Sequence, residues 1–192
     1  MISTGKSFES EITASLRALS KTVAVAYQNS NAPIAVCDHI VWVGGTSILL
    51  EEKELRADRF PFSRISDAER KHMDGVVRAG CGATILIKHI TPLAVRVFAC
   101  GWPQWKALED ACGYAHGAAK QTRGSASFPV RPDWERPECL IELQRVSRCD
   151  LDGHSLGRHW DLSPILSPNL LSRSEYEQGQ KQWAKFAHKD TL

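Results

Sequence analysis

Apolar residues recur along this chain with a helical period in some segments and with strand alternation in others, and this pattern predicts its elements. Phe8, Ile12, Leu16 and Leu19, for example, share one face of a helix. The predicted elements are a helix at 7–21, strands at 23–28, 34–43 and 46–55, a helix at 66–79, strands at 84–90 and 94–99, and a helix at 103–115. This order predicts an α/β protein in which helices pack on a sheet.

Local motifs mark the ends of several predicted elements. Gly44 and Gly45 separate the second and third strands, which predicts a hairpin. Ser66 and Glu69 have the spacing of a capping box at the start of the second helix. Gly80 follows that helix and is the residue type that most often ends one.

The character of the chain changes after residue 116. Five of the nine prolines lie between 129 and 168, and only 140–146 has the pattern of an ordered strand. A further helix is predicted at 174–188. We therefore expect a core at 1–116 and, at 117–192, an irregular proline-rich extension whose C-terminal helix packs on that core.

The composition is that of an ordinary globular protein. The chain has 192 residues, enough for one well-buried domain. It is 43% hydrophobic and 24% charged with a formal net charge of +2, which excludes a disordered chain and a strongly basic chromatin-type protein. No apolar run approaches the roughly 20 residues that a bilayer requires, so we expect a cytoplasmic protein without a membrane segment. The cysteines lack a C-x-x-C pair, which favours reduced thiols.

The candidate chemistry lies on the predicted hairpin. Asp38 is on its first strand, and Glu51 and Lys53 share one face of its second strand because side chains alternate. Two carboxylates supply oxygen ligands for a hard divalent cation, and a lysine can hold or deprotonate an attacking water. This combination suits Mg²⁺-dependent hydrolysis of a phosphodiester, with Glu9 of the first helix as a candidate third ligand.

Each of these residues also has a purely structural interpretation. Glu9 could be a first-turn glutamate favoured by the helix dipole. Asp38, in an apolar strand, could be satisfied by a salt bridge. Glu51 and Lys53 could simply pair on the sheet surface. Glu11 lies off the apolar stripe and is expected to face water.

Two further groups of residues have side chains that could bind a ligand. A spacing of C-x9-C-x4-H-x4-H is formed by Cys139, Cys149, His154 and His159. Structural zinc sites usually contain closer ligand pairs, so chance is the favoured explanation. Tryptophans can stack on unpaired bases, although packing is their more frequent use; the candidates are Trp102, Trp105, Trp134 and Trp160.

Four short motifs occur in the order of a known family. They are G-x-x-x-E at 5–9, an aspartate followed by E-x-K at 38–53, F-P-x-x-x-I at 60–65, and H-M at 72–73. On these residues the chain resembles the PD-(D/E)XK nucleases, and most closely the RecU-type Holliday junction resolvases of bacteria and their phages. The resemblance covers residues 5–100. Glu69 stands where the family leads us to expect a glutamine.

The resemblance implies a restriction-endonuclease-like fold, a mixed sheet flanked by helices, and the activity of a Mg²⁺-dependent DNA endonuclease in which Mn²⁺ can substitute. It implies that Glu9, Asp38 and Glu51 bind the metal and act in catalysis together with Lys53. Basic residues close to the hairpin and the matched motifs are candidate DNA contacts: Lys6, Arg56, Arg64 and Lys71.

The substrate implied is branched DNA, in recombination or repair within a bacterial or phage-infected cell, close to the nucleoid. A homodimer is expected, since two symmetric cuts are most simply made by two active sites related by a two-fold axis. No nucleotide cofactor is expected. Two alternatives remain: a phage or mobile-element nuclease that acts on duplex or flap DNA, and a non-catalytic DNA-binding module with the same fold.

Overall fold

The computed structural model describes residues 8–19, 24–27, 37–43, 46–114, 127–131, 133–149 and 155–166. The helices within these ranges are α1 (Phe8–Arg17), α2 (Asp67–Arg78), α3 (Trp102–Ala111) and α4 (Ser163–Leu166), with short 3-10 helices η1 (Phe62–Arg64) and η2 (Asp133–Glu135). The strands are β1 (Ala24–Tyr27), β2 (His39–Val43), β3 (Thr46–Leu55), β4 (Arg59–Pro61), β5 (Gly82–Ile90), β6 (Val95–Gly101), β7 (Ser127–Pro129), β8 (Ile141–Leu143), β9 (Arg145–Cys149) and β10 (Ser155–Trp160).

Six strands form the main sheet in the order β1-β2-β3-β5-β6-β8. Strands β3 and β5 are parallel, and every other pair in this sheet is antiparallel. Helix α2 lies in the connection between β3 and β5, as a parallel pair requires a crossover. The expected architecture, a mixed sheet flanked by helices, is confirmed.

The two faces of the sheet are covered by different helices. On one face, α2 and α3 bury an apolar cluster that includes Leu49, Leu55 and Ile85. On the other face, Ile48 and Leu50 pack with α1 and with residues of β10 and α4. Because neighbouring residues of β3 point to opposite faces, Glu51 and Lys53 belong to the α2 side of the sheet and Glu52 belongs to the α1 side.

Several local motifs behave as the sequence predicts. Strands β2 and β3 pair as a hairpin up to Val43 and Thr46. The Ser66 hydroxyl accepts a hydrogen bond from the Glu69 N–H at 3.3 Å, and the Glu69 carboxylate accepts one from the Ser66 N–H at 2.7 Å, which completes the capping box. Gly80 follows α2 with φ of +81°, a backbone conformation that favours glycine.

Other predictions are corrected by the structure. The strand predicted at 34–43 begins at His39, so Asp38 precedes β2 instead of lying within it. The segment predicted as irregular contains β7, β10 and α4 besides the expected strand, which itself divides at Gln144 into β8 and β9. These short strands were missed because their stability comes from the strands they pair with and not from their own periodicity. The helix predicted at 174–188 lies outside the described residues, and the division at residue 116 stays a prediction.

The helices were predicted not to include a membrane segment. In the part of the chain that the structure describes, none of them has the length and apolar character needed to cross a bilayer.

Candidate metal and catalytic site

Glu51 and Lys53 come together on the α2 side of the sheet. The Lys53 ammonium lies 2.5 Å from a Glu51 carboxylate oxygen and 3.0 Å from a carboxylate oxygen of Glu69, on α2. Glu51 is only 4% exposed. Burial lowers the pKa of Lys53, but its contacts with the two carboxylates outweigh that effect and leave the pKa raised. The lysine is therefore held in its charged form between two acids.

Asp38 lies beside this pair, at the start of β2. Its backbone N–H donates to the Leu50 carbonyl at 3.2 Å, and its carboxylate accepts a hydrogen bond of 2.6 Å from the Glu52 N–H. Burial raises the pKa of Asp38, although the Glu52 N–H and Lys53 partly oppose this. Burial, followed by the charge of Asp38, raises the pKa of Glu51 to about 8. Two desolvated carboxylates, one of which raises the pKa of the other, form a site that a cation would stabilise.

The thiol of Cys37 is affected by the same carboxylates. It is buried next to Asp38, and its pKa is raised to about 12 by burial and then by the charges of Glu51, Asp38 and Glu52. The raised pKa of Cys37, the residue before Asp38, thus gives a second sign that carboxylates are concentrated here. Cys37 itself stays a neutral thiol, which makes it an unsuitable metal ligand or nucleophile.

Glu9, the predicted third metal ligand, is less closely associated with this site. It lies in the first turn of α1 and is exposed. Its charge contributes to the raised pKa of Asp38 and of Glu52, so it lies within electrostatic range of both carboxylates. Across the residues described here, however, no three His, Cys, Asp or Glu side chains are arranged to hold a metal ion.

The two carboxylates of this site, Asp38 and Glu51, suit a magnesium ion. Mg²⁺ is usually held by one or two protein carboxylates, and waters or substrate phosphate oxygens complete its octahedron. Asp38 and Glu51 supply two such carboxylates; burial raises the pKa of both, and the charge of Asp38 further raises that of Glu51. A site with two protein carboxylates therefore matches the chemistry of this ion.

Glu69 is a site residue whose role the sequence did not reveal. Its position in the capping box was visible, but its contact with Lys53 depends on how α2 packs against β3. Burial raises the pKa of Glu69, but the Ser66 N–H and Lys53 outweigh that effect and lower it. Glu69 therefore joins the start of α2 to the lysine of the site through one carboxylate.

A second polar group lies on the α1 side of the same strands. The His39 Nδ1 atom is 2.5 Å from a Glu52 carboxylate oxygen, and its Nε2 atom is 3.0 Å from the Thr13 hydroxyl of α1. His39 therefore points away from Glu51 and Lys53. Burial raises the pKa of Glu52, although the contact with His39 opposes this.

The expectation that Glu11 faces water is wrong. Its carboxylate lies 2.6 Å from the Lys88 ammonium and accepts a hydrogen bond of 3.1 Å from the Trp160 indole N–H. Arg145 lies 3.4 Å from the same carboxylate. The largely buried Lys88 on β5 requires a counter-charge, and α1 supplies it. None of these three partners is near Glu11 in the sequence, so helical periodicity could not show these contacts.

The candidate DNA contacts are only partly described. Arg56, Arg64 and Lys71 are exposed, and Lys6 lies outside the described residues. The Arg64 guanidinium donates to the Glu54 carbonyl and lies 5.7 Å from the centre of the Phe60 ring, so β3 and β4 hold it close to the strand end that carries the site.

The tryptophan, cysteine and histidine candidates are also only partly described. Trp102, Trp105 and Trp160 are buried, which favours the packing interpretation for these three. The side chain of Trp134 is not described. Of the Cys and His residues that suggested zinc, His154 lies outside the described residues, and the side chain of Cys149 is also not described.

Comparisons with known proteins find similarity among solved structures. No protein-family model matches the chain, and no curated protein matches it. Among solved structures, the chain is similar to the 1.6 Å structure of Hjc, a Holliday junction resolvase from the archaeal hyperthermophile Archaeoglobus fulgidus. The match has a TM-score of 0.34 and 20% sequence identity, and it covers 47% of this chain and 71% of that one. A likeness with this TM-score carries no argument, so any function must be argued from the side chains of the site.

Proposed function

We propose that this protein is a metal-dependent DNA endonuclease that cuts branched DNA, such as a Holliday junction, by hydrolysing one phosphodiester in each of two strands. The observation that carries the proposal is the convergence of Asp38 and Glu51, two desolvated carboxylates, with Lys53 between Glu51 and Glu69. An acidic pair alone could bind a cation for structural reasons. A lysine held beside it adds the hydrogen-bond donor that phosphodiester hydrolysis requires.

In the proposed mechanism, Asp38 and Glu51 hold Mg²⁺, and Mn²⁺ can replace it. When bound, the ion supplies Lewis-acid stabilisation of the charge that develops on the phosphate and on the leaving oxygen. Asp38 keeps its orientation because the Glu52 N–H donates to its carboxylate. Glu9 is the proposed additional ligand, directly or through water.

Lys53 provides positioned N–H donors in this mechanism. Its contacts with Glu51 and Glu69 favour the ammonium form. In that form it has no lone pair with which to remove a proton, so its role is to orient the attacking water and to stabilise the charged phosphate oxygens. Removal of a preorganised donor of this kind costs about 100- to 1,000-fold in rate.

The DNA backbone is proposed to lie along the basic residues that surround the end of β3. Arg56, Arg64 and Lys71 are the exposed candidates, and Lys6 belongs to the same proposal. Contacts of this type bind phosphates and position the duplex without reading its sequence. A homodimer would bring two such sites to one junction, so that its two strands are cut symmetrically.

The proposal is tested with four labelled substrates: a four-way junction, a matched duplex, a flap and single-stranded DNA. With magnesium, we expect paired symmetric nicks in the junction, and EDTA or Glu51→Gln should abolish them. Asp110→Asn, an exposed carboxylate on α3, is the matched control and should cut as the wild type does.

The other outcomes separate the alternatives. Metal-dependent cutting of all four substrates would keep the nuclease and remove the preference for junctions. Tight binding by folded protein without any cutting would contradict catalysis and support a non-catalytic DNA-binding module.

A further inference from the structure

Helix α1 is joined to the metal-binding strands by a chain of three polar side chains. The Thr13 hydroxyl on α1 contacts His39 at 3.0 Å, and His39 contacts Glu52 at 2.5 Å. His39 is 1% exposed, and the Glu52 side chain is also buried. Buried polar groups of this kind are costly to separate, because each loses its partner without gaining water. The chain therefore fixes one side of α1 to β2 and β3.

The same two strands carry the proposed metal ligands at the neighbouring positions. His39 follows Asp38, and Glu52 follows Glu51. The Glu52 N–H donates to the Asp38 carboxylate on one side, while the Glu52 carboxylate lies 2.5 Å from His39 Nδ1 on the other. A shift of α1 is thus transmitted to the backbone that holds Asp38.

Helix α1 also carries Glu9, one turn before Thr13. The buried apolar face of α1 sets the rotation of the helix approximately, because apolar contact is not directional. Hydrogen bonds are directional. The contact between Thr13 and His39, together with that between Glu11 and Lys88, fixes the rotation of α1 more closely and hence the direction of Glu9.

We infer that Thr13, His39 and Glu52 form a positioning chain that sets the rotation of α1 and thereby holds Glu9 toward the cation bound by Asp38 and Glu51. The inference rests on the proposed function. In it, none of the three residues touches the metal or the DNA, so all three act through Glu9 and Asp38.

The test measures Mn²⁺ affinity by the EPR signal of the free ion, without DNA and without turnover. Thr13→Val removes the hydroxyl and keeps the shape of the side chain. We expect it to weaken Mn²⁺ binding about tenfold, as loss of a residue that orients a ligand typically does, and we expect Thr13→Ser to restore binding. Ser15→Ala is the matched control, because Ser15 bonds α1 to Trp160 and not to β2 or β3; it should leave the affinity unchanged.

A double-mutant cycle with Glu9→Gln shows whether the chain acts through Glu9. If it does, Thr13→Val weakens Mn²⁺ binding less in the Glu9→Gln background than in the wild type. Wild-type affinity in Thr13→Val, or full additivity with Glu9→Gln, would overturn the inference. Urea unfolding in EDTA confirms that each variant is folded. Absence of Mn²⁺ binding by the wild type would overturn the proposed function itself, and the positioning chain with it.

Discussion

The buried pair of Arg70 and Glu109 gives the sharpest test of how α2 is held in place. Arg70 is 2% exposed and donates to Glu109 on α3, to the Phe62 carbonyl at 2.7 Å and to the Ile65 carbonyl at 3.1 Å. Glu109 also accepts a hydrogen bond of 2.6 Å from the Trp105 indole. One guanidinium therefore connects α2 to α3 and to the turn that leads into the capping box.

Arg70→Met keeps the apolar stem and removes all three donors. Glu109 would then be a buried charge with only the Trp105 indole as a partner, and the Ile65 carbonyl would lose the Arg70 hydrogen bond. Loss of one member of a buried ion pair costs about 3–5 kcal/mol. That is a large part of the roughly 5–15 kcal/mol by which domains are stable. The double variant with Glu109→Gln should recover much of the loss, because no buried charge is left unpaired.

Urea unfolding followed by circular dichroism measures these free energies from the midpoint and the slope. Arg78→Met makes the same change at an exposed position of α2 and should stay within about 0.5 kcal/mol of the wild type. A loss of less than about 1 kcal/mol for Arg70→Met, or a double variant no more stable than the single one, would refute the assigned role of the pair.

Three further predictions use the same unfolding measurement. Ser66→Ala removes the capping hydroxyl and should cost about 1 kcal/mol. Burial and Arg131 lower the pKa of His89 from 6.5, so below that pH the unfolded chain binds a proton that the folded one does not, and stability falls as the pH drops. The charged groups around this histidine are Arg131, Asp58 and Arg96. His89→Gln should flatten that dependence, and an unchanged slope would contradict the assignment. Magnesium at 100 times its Kd should stabilise the wild type by about 2.7 kcal/mol and Glu51→Gln far less.

Local sequence features predicted much of the sheet and part of the site. Alternation along β3 placed Glu51 and Lys53 on one face, and the structure brings the two side chains into contact. The capping box of Ser66 and Glu69 was readable because its two hydrogen bonds join residues three positions apart. These features depend on a period or a short spacing, which a sequence contains directly.

Contacts between distant segments could not be predicted in this way. Glu69 meets Lys53 only because α2 crosses over β3, and Glu11 meets Lys88 only because α1 packs on the opposite face. Strand β8 pairs with β6 at the edge of the main sheet. Its three residues are too few for their periodicity to indicate a partner. Each of these contacts is decided by tertiary packing.

Single-turnover cleavage of a four-way junction by wild-type protein and by Lys53→Ala, with and without Mg²⁺, tests the central claim most directly. The account predicts metal-dependent symmetric nicks for the wild type and a rate at least about 100-fold lower for Lys53→Ala, which should still bind Mn²⁺ through Asp38 and Glu51. Equal rates for the two proteins, or a folded wild type that binds the junction and the metal without cutting, would contradict it.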